Sequence, residues 1–139
     1  MPDMLVCVAM WPRLALPVLL LAALGGAGHA AAAPGDPGCS TSLSAPRVID
    51  VSGTAMVSAS ASPGACNRAE PQLQVACLQL VGSTLAPICV QAEGPGTAQV
   101  YFAPYTPGAS YVATGRSCAN AGSPPVTYCR SAGPLTAAL

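Results

Sequence analysis

Lysine is absent from this chain, histidine occurs once, and charged residues are only 7% of the total, with no formal net charge. All basic residues are therefore arginine: Arg13, Arg47, Arg68, Arg116 and Arg130, far apart in sequence. Such spacing offers no basic stripe to neutralise phosphates, so nucleic acid is not an expected partner. The single histidine, His29, lies in a segment expected to be removed. A mature chain with neither His nor Lys cannot build Ser-His-Asp, Cys-His or Ser-Lys nucleophile pairs. Its acids are Asp36, Asp50, Glu70 and Glu93. They are scattered, and they fit solvated surface better than a glycosidase-type pair. The usual general bases are missing, so no catalytic residue is assigned. The glycines flank prolines instead of opening a helix that could hold a phosphate, so no cofactor is expected.

Helical periodicity is also lacking, because Pro or Gly, 15 and 14 of them, interrupts every window long enough to show it. Only one apolar run is long. Residues 14–28, LALPVLLLAALGGAG, follow Arg13 and lead into Gly28-His29-Ala30 and further alanines. A positive flank, an apolar stretch of roughly 7 to 15 residues and small residues at a cleavage site are the order of a secretory signal peptide. The run is shorter than the roughly 20 residues needed to span a bilayer, so cleavage is expected and no stable membrane span remains. Asp3 puts negative charge where positive charge is wanted, whereas a start at Met10 gives the compact leader MWPRLALPVLLL. The true start is therefore expected at Met10, which removes Cys7 from the product.

Beyond the leader stand Cys39, Cys66, Cys77, Cys89, Cys118 and Cys129. An even set of cysteines in a short exported chain reads as a disulfide framework and places the protein outside the cytoplasm, secreted or in the cell envelope. Metal binding is the competing reading, and the absence of C-x-x-C spacing and of mature histidine argues against it. Nearest-neighbour pairing is the expected connectivity: Cys39 with Cys66, Cys77 with Cys89, Cys118 with Cys129. The runner-up joins Cys77 to Cys118 across two sheets.

The second pair has a register behind it. Residues 73–93, LQVACLQLVGSTLAPICVQAE, are two apolar runs joined by Gly82-Ser83-Thr84. A hairpin centred on Ser83 sets Cys77 opposite Cys89, Leu78 opposite Ile88, Ala76 opposite Val90 and Leu80 opposite Ala86. The thiols then share one face and the apolar side chains the other, ready to cover a core. The third pair closes the Pro-rich segment CANAGSPPVTYC, and the first follows by elimination.

Elsewhere the period is two. Ile49, Val51, Gly53, Ala55, Val57, Ala59 and Ala61 alternate with polar residues, Met56 being the exception. This describes an antiparallel strand with one wet face, broken near Gly53. Ala98, Val100 and Phe102 alternate likewise, and short strands are expected at 110–116 and 126–130. Turn signals every ten or so residues point to an all-β, disulfide-stapled antiparallel β-sandwich. The expected plan is a helical signal peptide at 1–30, a disordered Ala/Pro/Gly-rich lead at 31–46, the sandwich at 47–131 and a flexible tail at 132–139. About 105 residues would bury about 65% of their unfolded surface. With one phenylalanine and much Ala and Val the core is thin, which is a physical reason for staples.

The stretch Tyr105-Thr106-Pro107-Gly108-Ala109-Ser110-Tyr111-Val112-Ala113 resembles the Pro-Gly turn and tyrosine that open a late strand in fibronectin-III and immunoglobulin-like domains. The resemblance implies their sandwich architecture. It departs from true immunoglobulin domains in lacking the core Trp, since none follows Trp11.

Two features are candidates for function. Ser123, Pro124, Pro125 and Val126 crown the loop between Cys118 and Cys129, which reads either as a stiff partner-binding loop or as an inert connection limited by its prolines. Tyr101, Tyr105, Tyr111 and Tyr128 offer rigid amphipathic area for a sugar or protein, although at least half are expected to be ordinary strand packing. The expected function is a small exported non-catalytic binding or envelope-associated module for a protein or carbohydrate. The alternatives are a secreted hydrolase inhibitor presenting the Cys118–Cys129 loop and, last, an enzyme using carboxylates alone.

Overall fold

The long period-two run from Ile49 is interrupted once, and the interruption is a turn. In the computed structural model, which describes residues 35–139, Ser52 and Gly53 both adopt left-handed backbone, with φ of 54° and 82°. Two such residues make the tight turn whose twist matches a hairpin, and the Gly53 N–H donates to Asp50 Oδ1 at 2.8 Å. The expected signal peptide at 1–30 and the Met10 start lie outside the described residues.

Eight strands follow in order: β1 (Gly38–Leu43), β2 (Arg47–Val51), β3 (Thr54–Asn67), β4 (Glu70–Leu80), β5 (Ile88–Glu93), β6 (Ala98–Phe102), β7 (Ser110–Ala121) and β8 (Val126–Ala138). All pairing is antiparallel. In the first sheet β1 and β2 lie end to end along one edge of β3, since Leu43 meets Ala61 and Arg47 meets Ser58. On the other edge β6 pairs from Val57↔Phe102 to Ala61↔Ala98. The second sheet has the order β5-β4-β7-β8. The protein is thus all-β among the described residues, with two antiparallel sheets facing each other.

Between them lie Val57, Ala59 and Ala61 of β3, Ala98 and Val100 of β6, Ala76 and Leu78 of β4, and Tyr111 and Ala113 of β7. Alanine dominates this set, so the sheets must approach closely to exclude water. Gly115 marks one close approach: a Cβ there would lie 3.1 Å from Leu43 Cδ1 and 3.2 Å from the Ala61 methyl. Tyr111 is the largest of the fully buried side chains and meets Phe102 edge-on, ring centroids 5.5 Å apart.

The three disulfides are Cys39–Cys66, Cys77–Cys89 and Cys118–Cys129, the nearest-neighbour set. Each joins residues directly opposite on adjacent strands of one sheet. None crosses the core, so the staples stiffen each sheet while adhesion between sheets rests on packing.

Several expectations are corrected. Residues 38–43 of the expected lead form β1, because Cys39, Thr41 and Leu43 turn inward and the strand pairs with β3. The expected tail continues β8 to Ala138, crossing a bulge between Ala113 and Gly115, and Leu139 packs against the core. The ordered strands therefore reach beyond 47–131 at both ends. The hairpin register holds at Ala76↔Val90, Cys77↔Cys89 and Leu78↔Ile88 but stops there, so Leu80 does not meet Ala86. Pro87, without an N–H, precedes the first residue of β5. The two-residue turn sets Val48, not Ile49, opposite Val57, so Ile49 and Val51 share no face with Val57, Ala59 and Ala61.

Candidate functional site

The last hairpin builds the candidate site from four rungs and a short turn. Cys118↔Cys129, Ala119↔Tyr128, Asn120↔Thr127 and Ala121↔Val126 pair in succession, leaving residues 122–125 as the turn. The disulfide locks the first rung, and Thr127 Oγ1 donates to Asn120 Oδ1 at 2.8 Å on the third. Gly122 adopts φ 85°, the left-handed backbone that lets the chain reverse. Ser123, Pro124 and Pro125 occupy the turn and Val126 begins β8, all four exposed.

Beside this turn lies the connection from β3 to β4, where Arg68 is held at φ 46°, an uncommon backbone for a side chain of its size. Its Nη2 donates to the Gly35 carbonyl at 2.7 Å, and Asn67 Nδ2 donates to the Asp36 carbonyl at 2.9 Å. Residues 35–37 are thereby tied across the same end of the molecule. Two hollows adjoin there. One, of about 280 Å³, is lined by Pro37, Arg68, Pro124, Val126 and Tyr128. The other, of about 510 Å³, is lined by Arg68, Glu70, Asn120 and Pro125. Arg68, Ala121 and Gly122 line both.

Pro124, Pro125 and Val126 are thus brought together with Arg68, Glu70, Asn120 and Tyr128, none of which the sequence placed beside the turn, whereas Ser123 lines neither hollow. One cation, one anion, an amide, a phenol and apolar proline rings suit a neutral polar ligand, gripped by hydrogen bonds and stacking. Of the other tyrosines, Tyr111 is core, Tyr105 packs against it, and Tyr101 is exposed on β6. Glu93 sits on β5 opposite Leu73 and lines neither hollow.

Beneath this end runs a polar row inside the sandwich. Gln74, Ser117 and Arg130 are successive partners across β4, β7 and β8. Gln74 Nε2 donates to the Gly94 carbonyl at 3.0 Å, while Gln74 Oε1, Ser117 Oγ and Arg130 Nε make no hydrogen bond. A third hollow, of about 340 Å³, lies at the β7–β8 bulge, lined by Val75, Cys77, Thr114, Arg116, Ser131 and Pro134. Among the described residues no cluster of His, Cys, Asp and Glu could hold a metal ion, and no helix is long and apolar enough to cross a membrane. No protein-family model, curated protein or solved structure matches the chain.

Proposed function

We propose that this chain is a small exported, non-catalytic binding module, secreted or held in the cell envelope, that takes a protein or carbohydrate ligand at the turn-122–125 end. The observation that carries the reading is the pair of adjoining hollows at Arg68, walled by a turn that a disulfide and two prolines keep stiff. A stiff wall loses little conformational freedom on binding, which favours affinity. Export is supported by the leader-like residues 1–30 and by three disulfides, which persist in oxidising compartments.

An immunoglobulin- or fibronectin-III-like kinship is part of the proposal. In its support, Tyr111 opens a late strand and its buried Oη accepts the Thr106 N–H at 2.9 Å, five residues upstream. That is the geometry of the tyrosine corner of such sandwiches. The placement of functional loops at one end is a shared habit of those domains.

The inhibitor reading uses the same turn, but four residues between paired strands leave no extended segment for a hydrolase cleft to grip. Lack of inhibition of a panel of secreted hydrolases at micromolar protein would remove it. For the main reading, the mature oxidised protein is applied to a glycan array and to immobilised culture-medium proteins. Binding is expected to fall at least tenfold in Arg68→Ala and Asn120→Ala and to survive in Val51→Ala, which lies on β2. Binding unchanged in both site variants would overturn the assignment.

A further inference from the structure

The outer edge of β5 carries little defence against pairing with another chain. Edge strands usually carry Lys, Pro or a bulge to discourage pairing with another chain. The β5 sequence ICVQAE has none of these, and its only charge is the terminal Glu93. Every residue except Ala92 is exposed, Ile88 at 43% and Val90 at 37%. Both are partners of buried residues, Leu78 and Ala76, so their side chains lie on the core-facing side of the sheet, where they are only partly covered.

The backbone is poised in the same way. Cys77 and Cys89 have Cα atoms 4.1 Å apart, the narrow rung of an antiparallel ladder, whose members do not bond each other. The N–H and C=O of Cys89 therefore point away from β4, and by alternation so do those of Gln91. Among the described residues neither has a second partner strand, because there β5 pairs with β4 alone.

We infer that two copies of this chain join through β5, antiparallel, about a two-fold axis at Val90. Val90 then faces Val90 of the second copy, Ile88 faces Ala92, and Cys89 faces Gln91. This register keeps core-facing side chains opposite core-facing ones, so Ile88, Val90 and Ala92 of the two copies cover one another. It matches the outward N–H and C=O of Cys89 with those of Gln91 on both sides of the axis. It also sets Glu93 opposite Pro87 instead of a second Glu93, which avoids like charges face to face. A register centred on Gln91 aligns the backbone equally well but leaves Ile88 opposite Gly94, where the strand has ended. The result is one continuous sheet made from the second sheets of both copies, closed by symmetry. With no net charge on the chain, nothing repels the copies at long range.

The test is sedimentation equilibrium of the mature oxidised protein from micromolar to millimolar concentration. Twice the monomer mass is expected at the upper end. Gln91→Pro removes an outward N–H without touching a β4–β5 hydrogen bond, and Val90→Glu places two carboxylates opposite each other at the axis. Each is expected to raise the dimer dissociation constant at least tenfold while leaving the far-UV circular dichroism unchanged. Val51→Glu, an equally exposed valine on β2, is expected to dimerise as the parent does. A parent that stays monomeric throughout, or variants at positions 90 and 91 that associate like Val51→Glu, would overturn the inference.

Discussion

Replacing Tyr111 with phenylalanine isolates one hydrogen bond in a core that has few large side chains. The ring stays, and with it the edge-on contact to Phe102 at 5.5 Å. What is lost is the fully buried hydroxyl that accepts the Thr106 N–H at 2.9 Å. A typical hydrogen bond contributes about 0.5 to 1.5 kcal/mol net, and an orphaned buried donor costs about 1 to 3 kcal/mol. Thr106 is itself exposed, so water can partly replace the lost acceptor, and the cost is expected near about 1 to 2 kcal/mol. An unfolding entropy of about 2.1 cal/mol/K per residue over about 105 residues turns that into a Tm lower by about 5 to 9 °C. Thermal unfolding of the oxidised protein followed by circular dichroism reads this directly. A Tm within about 1 °C of the parent would show that the hydroxyl contributes nothing and that Tyr111 acts by bulk alone.

Gly115→Ala forces a methyl group to within 3.2 Å of Leu43 and Ala61, so it is expected to lower stability by about 1 to 3 kcal/mol, seen as an earlier urea midpoint. Ser117→Ala is expected to do the reverse, since its buried Oγ makes no hydrogen bond and its removal spares about 1 kcal/mol of desolvation; a later midpoint checks it. Removing disulfides one pair at a time to alanine should follow loop length. The 27-residue Cys39–Cys66 separation is expected to cost most, about 3.5 kcal/mol. The Cys77–Cys89 and Cys118–Cys129 separations of 12 and 11 are expected to cost about 3 kcal/mol each, so a reversed ranking by denaturant titration would contradict the chain-entropy account.

The legible parts of the fold were those where one period carried two messages. At Cys77 and Cys89 the alternation that put the thiols on one face also put Leu78 and Ala76 on the other, so the register was determined twice over. At β1 the same rule operates with Cys39, Thr41 and Leu43 turned inward, but Ser, Thr and Gly around them flatten the hydropathy contrast. The end of β8 hides for a similar reason, with Gly133 and Pro134 beside the bulge reading as a loop. Alternation tells which side of a strand a residue takes, not whether a second sheet reaches over it, hence the exposure of Ile88 and Val90. The candidate site was legible only in its turn. Its other walls come from residues 35–37, from Arg68 to Glu70 and from Asn120 to Tyr128, joined by contacts between residues far apart in sequence, Gly35 with Arg68 and Glu70 with Asn120. Arg68 carries no local motif; only its left-handed backbone sets it apart, and that depends on the folded loop.

The placement of the staples bears on how such a thin core can still hold a site. A disulfide between the sheets would fix their separation; these three do not, because each lies along a single ladder. They instead rigidify the hairpins, and two of them act close to an exposed end: Cys39–Cys66 beside the residue 35–37 strap and Cys118–Cys129 below the 122–125 turn. Contact between the sheets is left to five alanines and a few larger side chains, whose small volume demands close approach at Gly115. Loss of the Cys118–Cys129 bridge should therefore act on two levels. It should lower global stability by about the amount any short crosslink contributes, and it should free the turn so that ligand binding at Arg68 weakens further than stability alone predicts. Measuring affinity for whichever ligand the array identifies, in the Cys118→Ala, Cys129→Ala variant at a temperature where it remains folded, separates the two. An affinity equal to the parent's would mean that the turn is held by its prolines and by the Thr127–Asn120 bond without help from sulfur.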